Sequence, residues 1–172
     1  MHTTLVLGLG DSARGDDGVG PLAVAKLVRE YDLDAHILVM DAASVGVRLL
    51  PFLAGVRHLL VIAAVRLGAP AGTLHRLEWS GSSDGLQPRF PAVRADGIEV
   101  LRMLHFWVDP VPDLVLLGVE AMRPAPVSQL TGAVSASLDE VVEGVATQLN
   151  RWGHHVDRRV VHEQGEAVGA GR

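Results

Sequence analysis

The sequence predicts an α/β protein: a three-layer α/β/α domain built on a mixed, mostly parallel, five-stranded twisted sheet. Short runs rich in Val, Ile and Leu recur at Thr4–Leu9, His36–Asp41, His58–Val65, Thr73–Trp79 and Asp113–Val119. Helical spacing of apolar residues fills most of the gaps, at Val19–Glu30, Val45–Leu53, Gly97–Phe106 and Val134–Arg151. Strands that alternate with helices imply parallel pairing and a sheet covered on both faces.

Each element has its local reason. Thr4–Leu7 is a β-branched apolar run of the kind that suits a strand buried on both sides. Gly8 and Gly10 break it, and an apolar helical stripe begins at Val19, Leu22, Ala23, Ala25 and Leu27. Asp32-Leu33-Asp34, Gly68-Ala69-Pro70-Ala71-Gly72 and Asp109-Pro110-Val111-Pro112 read as turns. The third and fourth runs are separated by too few residues for a helix, so they are expected as antiparallel neighbours. Ser80–Arg89 reads as an exposed loop. From about Gly153 the pattern is polar and aperiodic, which divides the chain into one domain over 1–152 and a frayed tail over 153–172.

Composition narrows the function. The chain has 172 residues, enough for one domain with a full core, and a net charge of −5 that leaves no basic footprint for nucleic acid. No apolar run reaches the roughly 18 residues of a membrane span. The N-terminus lacks the basic region and cleavage site of a signal peptide, so a soluble cytoplasmic protein is expected. Cysteine is absent, which removes disulfides, thiolate metal sites and a cysteine nucleophile. Ser12, Ser44 and Ser128 lack a G-x-S-x-G elbow.

The chemistry concentrates at strand ends. In an open α/β sheet, ligands bind in the crevice beyond the carboxyl ends of the strands. Asp16 and Asp17 stand there, between the first strand and the first helix. They can cap the helix, complement its dipole, or place one carboxylate in the crevice as a metal ligand or acid/base group. Asp41 ends the second strand and Glu120 the last, so three acids are expected on one rim. Of the histidines, His36 and His58 open their strands at the opposite rim, and His75 is expected to face solvent. His154 and His155 fall in the frayed region, and none of the eight has the spacing of a helical metal pair. Gly8 and Gly10 invite a nucleotide-loop reading, but Ala13 and Arg14 spoil the three-glycine fingerprint. Small-molecule or nucleotide binding through this Gly-rich loop is the alternative function.

Four segments in order, VLGLGDSARGDDGVG, MDAASVGVRLL, GAPAGTLHRLE and LLGVEAMRPAPVSQLTGAV, resemble the NiFe-hydrogenase maturation endopeptidases across Thr3 to Gln148. The family's opening pattern is close to GxGNxxxxDDGxG, and its second block resembles DGGTxGxxLL, matched here by Asp41, Ser44, Gly46, Leu49 and Leu50. The resemblance implies a twisted, mostly parallel sheet and removal of a C-terminal extension from the hydrogenase large subunit precursor after nickel insertion. It also implies that nickel is sensed in the substrate through two acids and a histidine. The first acid carries over as Asp17. The second position falls on Ala63, in AAVRLGAPAG, and the histidine position on Val93 or Arg94, in FPAVRADG. The opening Asn is here Asp11. Two of the three ligands are therefore lost, and a metal bound by the chain itself is not expected.

Three accounts follow from that loss. The copy is degenerate and binds without cutting; or Asp11, Asp16, Asp17, Asp41 and Glu120 form a shifted, oxygen-rich site; or nickel held by the substrate acts beside Asp17 alone. Asp17, then Asp41, are the candidates for ligand or acid/base work. Gly10, Asp11, Asp16, Gly18, Ser44 and Gly46 are the candidates for docking the substrate's tail.

Overall fold

The computed structural model describes residues 2–42, 49–79, 113–122 and 126–159. β1 (Thr4–Gly8) leads through a 3-10 turn (Gly15–Gly18) into α1 (Val19–Glu30), which is followed by β2 (Tyr31–Leu33) and β3 (Ile37–Asp41). Then come α2 (Leu50–Leu53), β4 (His58–Val65), β5 (Leu74–Trp79), β6 (Asp113–Glu120), the long helix α3 (Gly132–Arg151) and β7 (Val156–Arg158). The main sheet has the order β3-β1-β4-β6-β5. β1 pairs in parallel with β3 and β4, β4 in parallel with β6, and β5 runs antiparallel to β6.

The continuous apolar runs are explained by burial on both faces. Side chains alternate across a strand, so Leu5 and Leu7 point to one side and Val6 to the other. Leu59, Val61, Ala63 and Val65 join Leu5, Leu7, Leu49 and Leu53 in one cluster, beneath α2. Leu60, Ile62 and Ala64 join Val6, Ala23, Leu27, Val134, Val141 and Leu149 in the other, beneath α1 and α3. The sheet thus lies between helices, as the sequence implies.

Three expectations need correction. The third and fourth runs are not neighbours: β6 lies between β4 and β5, and β5 takes its antiparallel partner there. The turn expected at Asp32–Asp34 is partly strand, because Tyr31–Leu33 pairs with Val156–Arg158. That pairing also carries ordered structure past the boundary expected at 152, up to Arg159. The helix expected at 97–106, residues 45–48 of the one expected at 45–53, and residues 160–172 lie outside the described residues.

His154, placed by sequence in a frayed region, is instead a packed residue of the amino rim. Its side chain is 8 % exposed, its Nε2 lies 2.6 Å from the hydroxyl of buried Thr4, and its Nδ1 lies 3.6 Å from Asp34 Oδ2. The same hydroxyl is 3.3 Å from His58 Nδ1, and the His58 ring stacks on Trp152 at 4.7 Å between centroids. Burial holds the His58 pKa below its ordinary value; Asp113 opposes the shift, and the charges of His154 and Arg57 add to it. Because the unfolded chain takes up this proton first, stability is expected to fall as pH drops through about 6.5 toward the lower folded value. Urea midpoints at pH 7.5 and 5.5 should differ less in His58→Phe than in the parent chain.

Candidate active site at the carboxyl rim

Four parallel strands, β3, β1, β4 and β6, end on one rim at Asp41, Gly8, Val65 and Glu120. The register puts Asp41 directly beside Gly8. Beyond Gly8 the chain folds back on itself: the Leu9 amide donates to the Ile62 carbonyl at 2.8 Å, and the Gly15 amide to the Val127 carbonyl at 2.5 Å. These contacts press the 3-10 turn into the rim, where Gly15, Asp16, Asp17 and Gly18 are all buried.

The glycines of the opening motif serve this close packing. Gly10 has φ +132°, in the left-handed region, and a Cβ there would collide with the Asp17 carbonyl oxygen. A Cβ at Gly8 would lie 2.5 Å from the Gly20 carbonyl oxygen. Close backbone packing alone thus accounts for glycine at both positions. Asp11, expected to meet substrate, closes a local turn by accepting the Ala13 amide at 2.8 Å.

The adjacent aspartates have separate situations. Neither occupies the N-cap position of α1, which is Gly18. Asp16 is 3 % exposed and is the hub of a tertiary tie. Its Oδ1 accepts the Thr131 amide at 2.7 Å, and its Oδ2 accepts the Met122 amide at 3.1 Å and the Thr131 hydroxyl at 3.0 Å. One carboxylate therefore binds the 3-10 turn to the chain beyond β6 and to the start of α3. Three donors offset the cost of burying its charge. Asp16, which the sequence offers for docking, is thus engaged inside the protein. Asp17, next to it and 6 % exposed, is the acid that the turn holds at the rim.

Glu120 also departs from expectation. Its carboxylate accepts the Leu67 amide at 3.0 Å, the Gly68 amide at 3.0 Å and a bond at 2.9 Å with His75 Nε2. It fastens the turn after β4 to β5 and does not join Asp17 in a shared cluster. His75, expected to face solvent, is its partner. Burial raises the Glu120 pKa, but the two amides and His75 together outweigh it and hold the carboxyl below its ordinary value. Asp41 is exposed at the rim beside β1.

Ala63 is fully buried in the apolar cluster that contains Leu9, Ala42 and Val65, opposite Gly118 on β6. It offers no donor atom. The carboxylates of Asp16 and Glu120 are both engaged by donors within the chain. Among the described residues no three His, Asp or Glu side chains come together to hold a metal ion. Ser44, Gly46, Val93 and Arg94 lie outside the described residues.

A mostly parallel sheet with a buried acidic turn on its carboxyl rim defines an α/β protein of the rim-site class, in which loops at the strand ends carry function. The hydrogenase maturation protease (HycI) family model matches residues 21–148, and the chain belongs to that family. Hydrogenase expression/formation protein HupD of Thiocapsa roseopersicina is 27 % identical over 154 residues, covering 81 % of this chain and 67 % of its own. Hydrogenase 2 maturation protease of Escherichia coli is 26 % identical over 162 residues, covering 92 % of this chain and 98 % of its own. The solved hydrogenase maturating endopeptidase HybD of E. coli shares the fold, with a TM-score of 0.79, 24 % identity, and coverage of 92 % of this chain and 98 % of that one. Among the described residues, no helix is long and apolar enough to cross a membrane.

Proposed function

We propose that this protein engages the C-terminal extension of a NiFe-hydrogenase large subunit precursor at the carboxyl rim, and binds it without cutting. The observation that carries this reading is Ala63. At the position where the resemblance expects an acid, the chain has a methyl group sealed in the core. One remaining carboxylate, Asp17, is a poor set for nickel, which favours imidazole nitrogen alongside oxygen. The rim otherwise keeps the family's form, with its glycine-packed turn and buried Asp17. A second reading is supported by that retained turn: nickel carried in the precursor belongs to the substrate, and Asp17 alone faces it during hydrolysis.

The test is to incubate the purified protein with nickel-loaded precursor and follow intact mass and native complexes. A complex with no mass loss is the expected result. Loss of a C-terminal peptide, abolished by Asp17→Asn, would replace the first reading with the second. Neither complex nor cleavage would overturn both.

A further inference from the structure

Arg66 stands at the carboxyl end of β4 with its guanidinium incompletely used. One terminal nitrogen, Nη2, donates to the Met122 carbonyl at 3.3 Å. The Nε–H is buried and meets no acceptor among the described residues. The same Met122 donates its amide to Asp16 Oδ2 at 3.1 Å. A single residue thus bridges Arg66 to the aspartate that precedes Asp17 and places the guanidinium on the functional rim. Exposed apolar side chains belong to the same rim: Leu67 on the next residue, Met122 itself, and Val127, whose carbonyl accepts the Gly15 amide of the 3-10 turn.

A buried N–H without an acceptor is costly, and a guanidinium presents its N–H groups in a fixed fork that matches a carboxylate. We infer that Arg66 is a specificity-determining residue that takes the side-chain carboxylate of an acidic residue flanked by apolar ones in the bound peptide. The inference rests on the proposed precursor-binding role and adds a sequence preference to it. The Nε–H supplies the bond now missing, and Leu67, Met122 and Val127 cover the peptide's apolar neighbours. A substrate with no acceptor leaves the Nε–H unsatisfied, and one with a neutral amide forgoes the charge-assisted bond, which is how such a site discriminates.

Short apolar peptides test this directly: one with a single Glu and both ends blocked, its Gln counterpart, and the Gln peptide with a free C-terminal carboxylate. The blocked Glu peptide should shift the Arg66 Nε–H resonance and bind about tenfold more tightly than the Gln peptide. Arg66→Met should erase that difference, and Arg66→Lys should restore only part of it. Equal binding of the Glu and Gln peptides, or an unmoved Arg66 resonance, would overturn the inference. So would a larger effect from the free terminus than from Glu. The wild-type resonance reads the contact even where a variant fails to fold. Peptide discrimination with no engagement of the precursor would instead remove the precursor-binding role and leave the carboxylate site in place.

Discussion

Asp16→Ala is expected to lower folding stability by about 3 kcal/mol, among the largest effects of any polar substitution in the described chain. The carboxylate receives three hydrogen bonds, two of them from backbone amides. A graded series checks the cause. Asp16→Asn keeps one oxygen but turns an NH2 group toward a donor, so it should recover little of the loss. Thr131→Val removes only the hydroxyl bond and should cost about 1 kcal/mol. Urea unfolding of the three variants reads the order directly. A result in which Asn restores full stability would mean that the charge is unimportant there. Because the same bonds seat the turn that carries Asp17, Asp16→Ala should also weaken the proposed precursor binding.

Glu120→Gln should cost about 2 kcal/mol at neutral pH and should flatten the acid limb of the stability curve. The sign follows from the lowered pKa of Glu120. A carboxyl whose folded value is depressed contributes stability that is complete above the unfolded value, near 4.5, and is lost as pH falls through the folded one. The parent chain should therefore lose stability over that acid window, and the Gln variant should lose less. Urea midpoints between pH 6 and 3 measure this. Parallel curves for the two proteins would show that the carboxylate is not what holds the Leu67–Gly68 turn.

The sheet was legible in the sequence because its strands are buried on both faces, and such strands are written as unbroken apolar runs. α1 was legible for the complementary reason, a single apolar stripe after a glycine-rich break. The neighbour of β5 was not. A short connection permits a hairpin, and nothing local records that β6, arriving more than thirty residues later, inserts between the two. β2 and β7, of three residues each, carry too little pattern to be seen.

The rim was legible as a location, and the placing of Asp16 and Asp17 on it was legible too. The division of labour among the acids was hidden, because Asp16 and Asp17 differ only in distant partners. Those of Asp16 lie 106 and 115 positions away. Glu120 was misjudged for a similar reason, since the amides and imidazole that claim it belong to other elements. Thr131, directly before α3, went unread: its side chain makes no cap bond, and the structure uses it to hold an aspartate.

The β2–β7 ribbon also bears on how this molecule can be handled. α3 starts beside Asp16 and runs its 20 residues away from the rim, about 30 Å at 1.5 Å per residue. The chain then closes the ribbon, where Arg159 donates to Asp32 at 2.7 Å, at the far end of the sheet from Asp17. A surface anchor or dye attached on that ribbon would leave the carboxyl rim facing open solution. Immobilised in that orientation, the protein could meet a partner as large as a folded hydrogenase subunit without obstruction from the support.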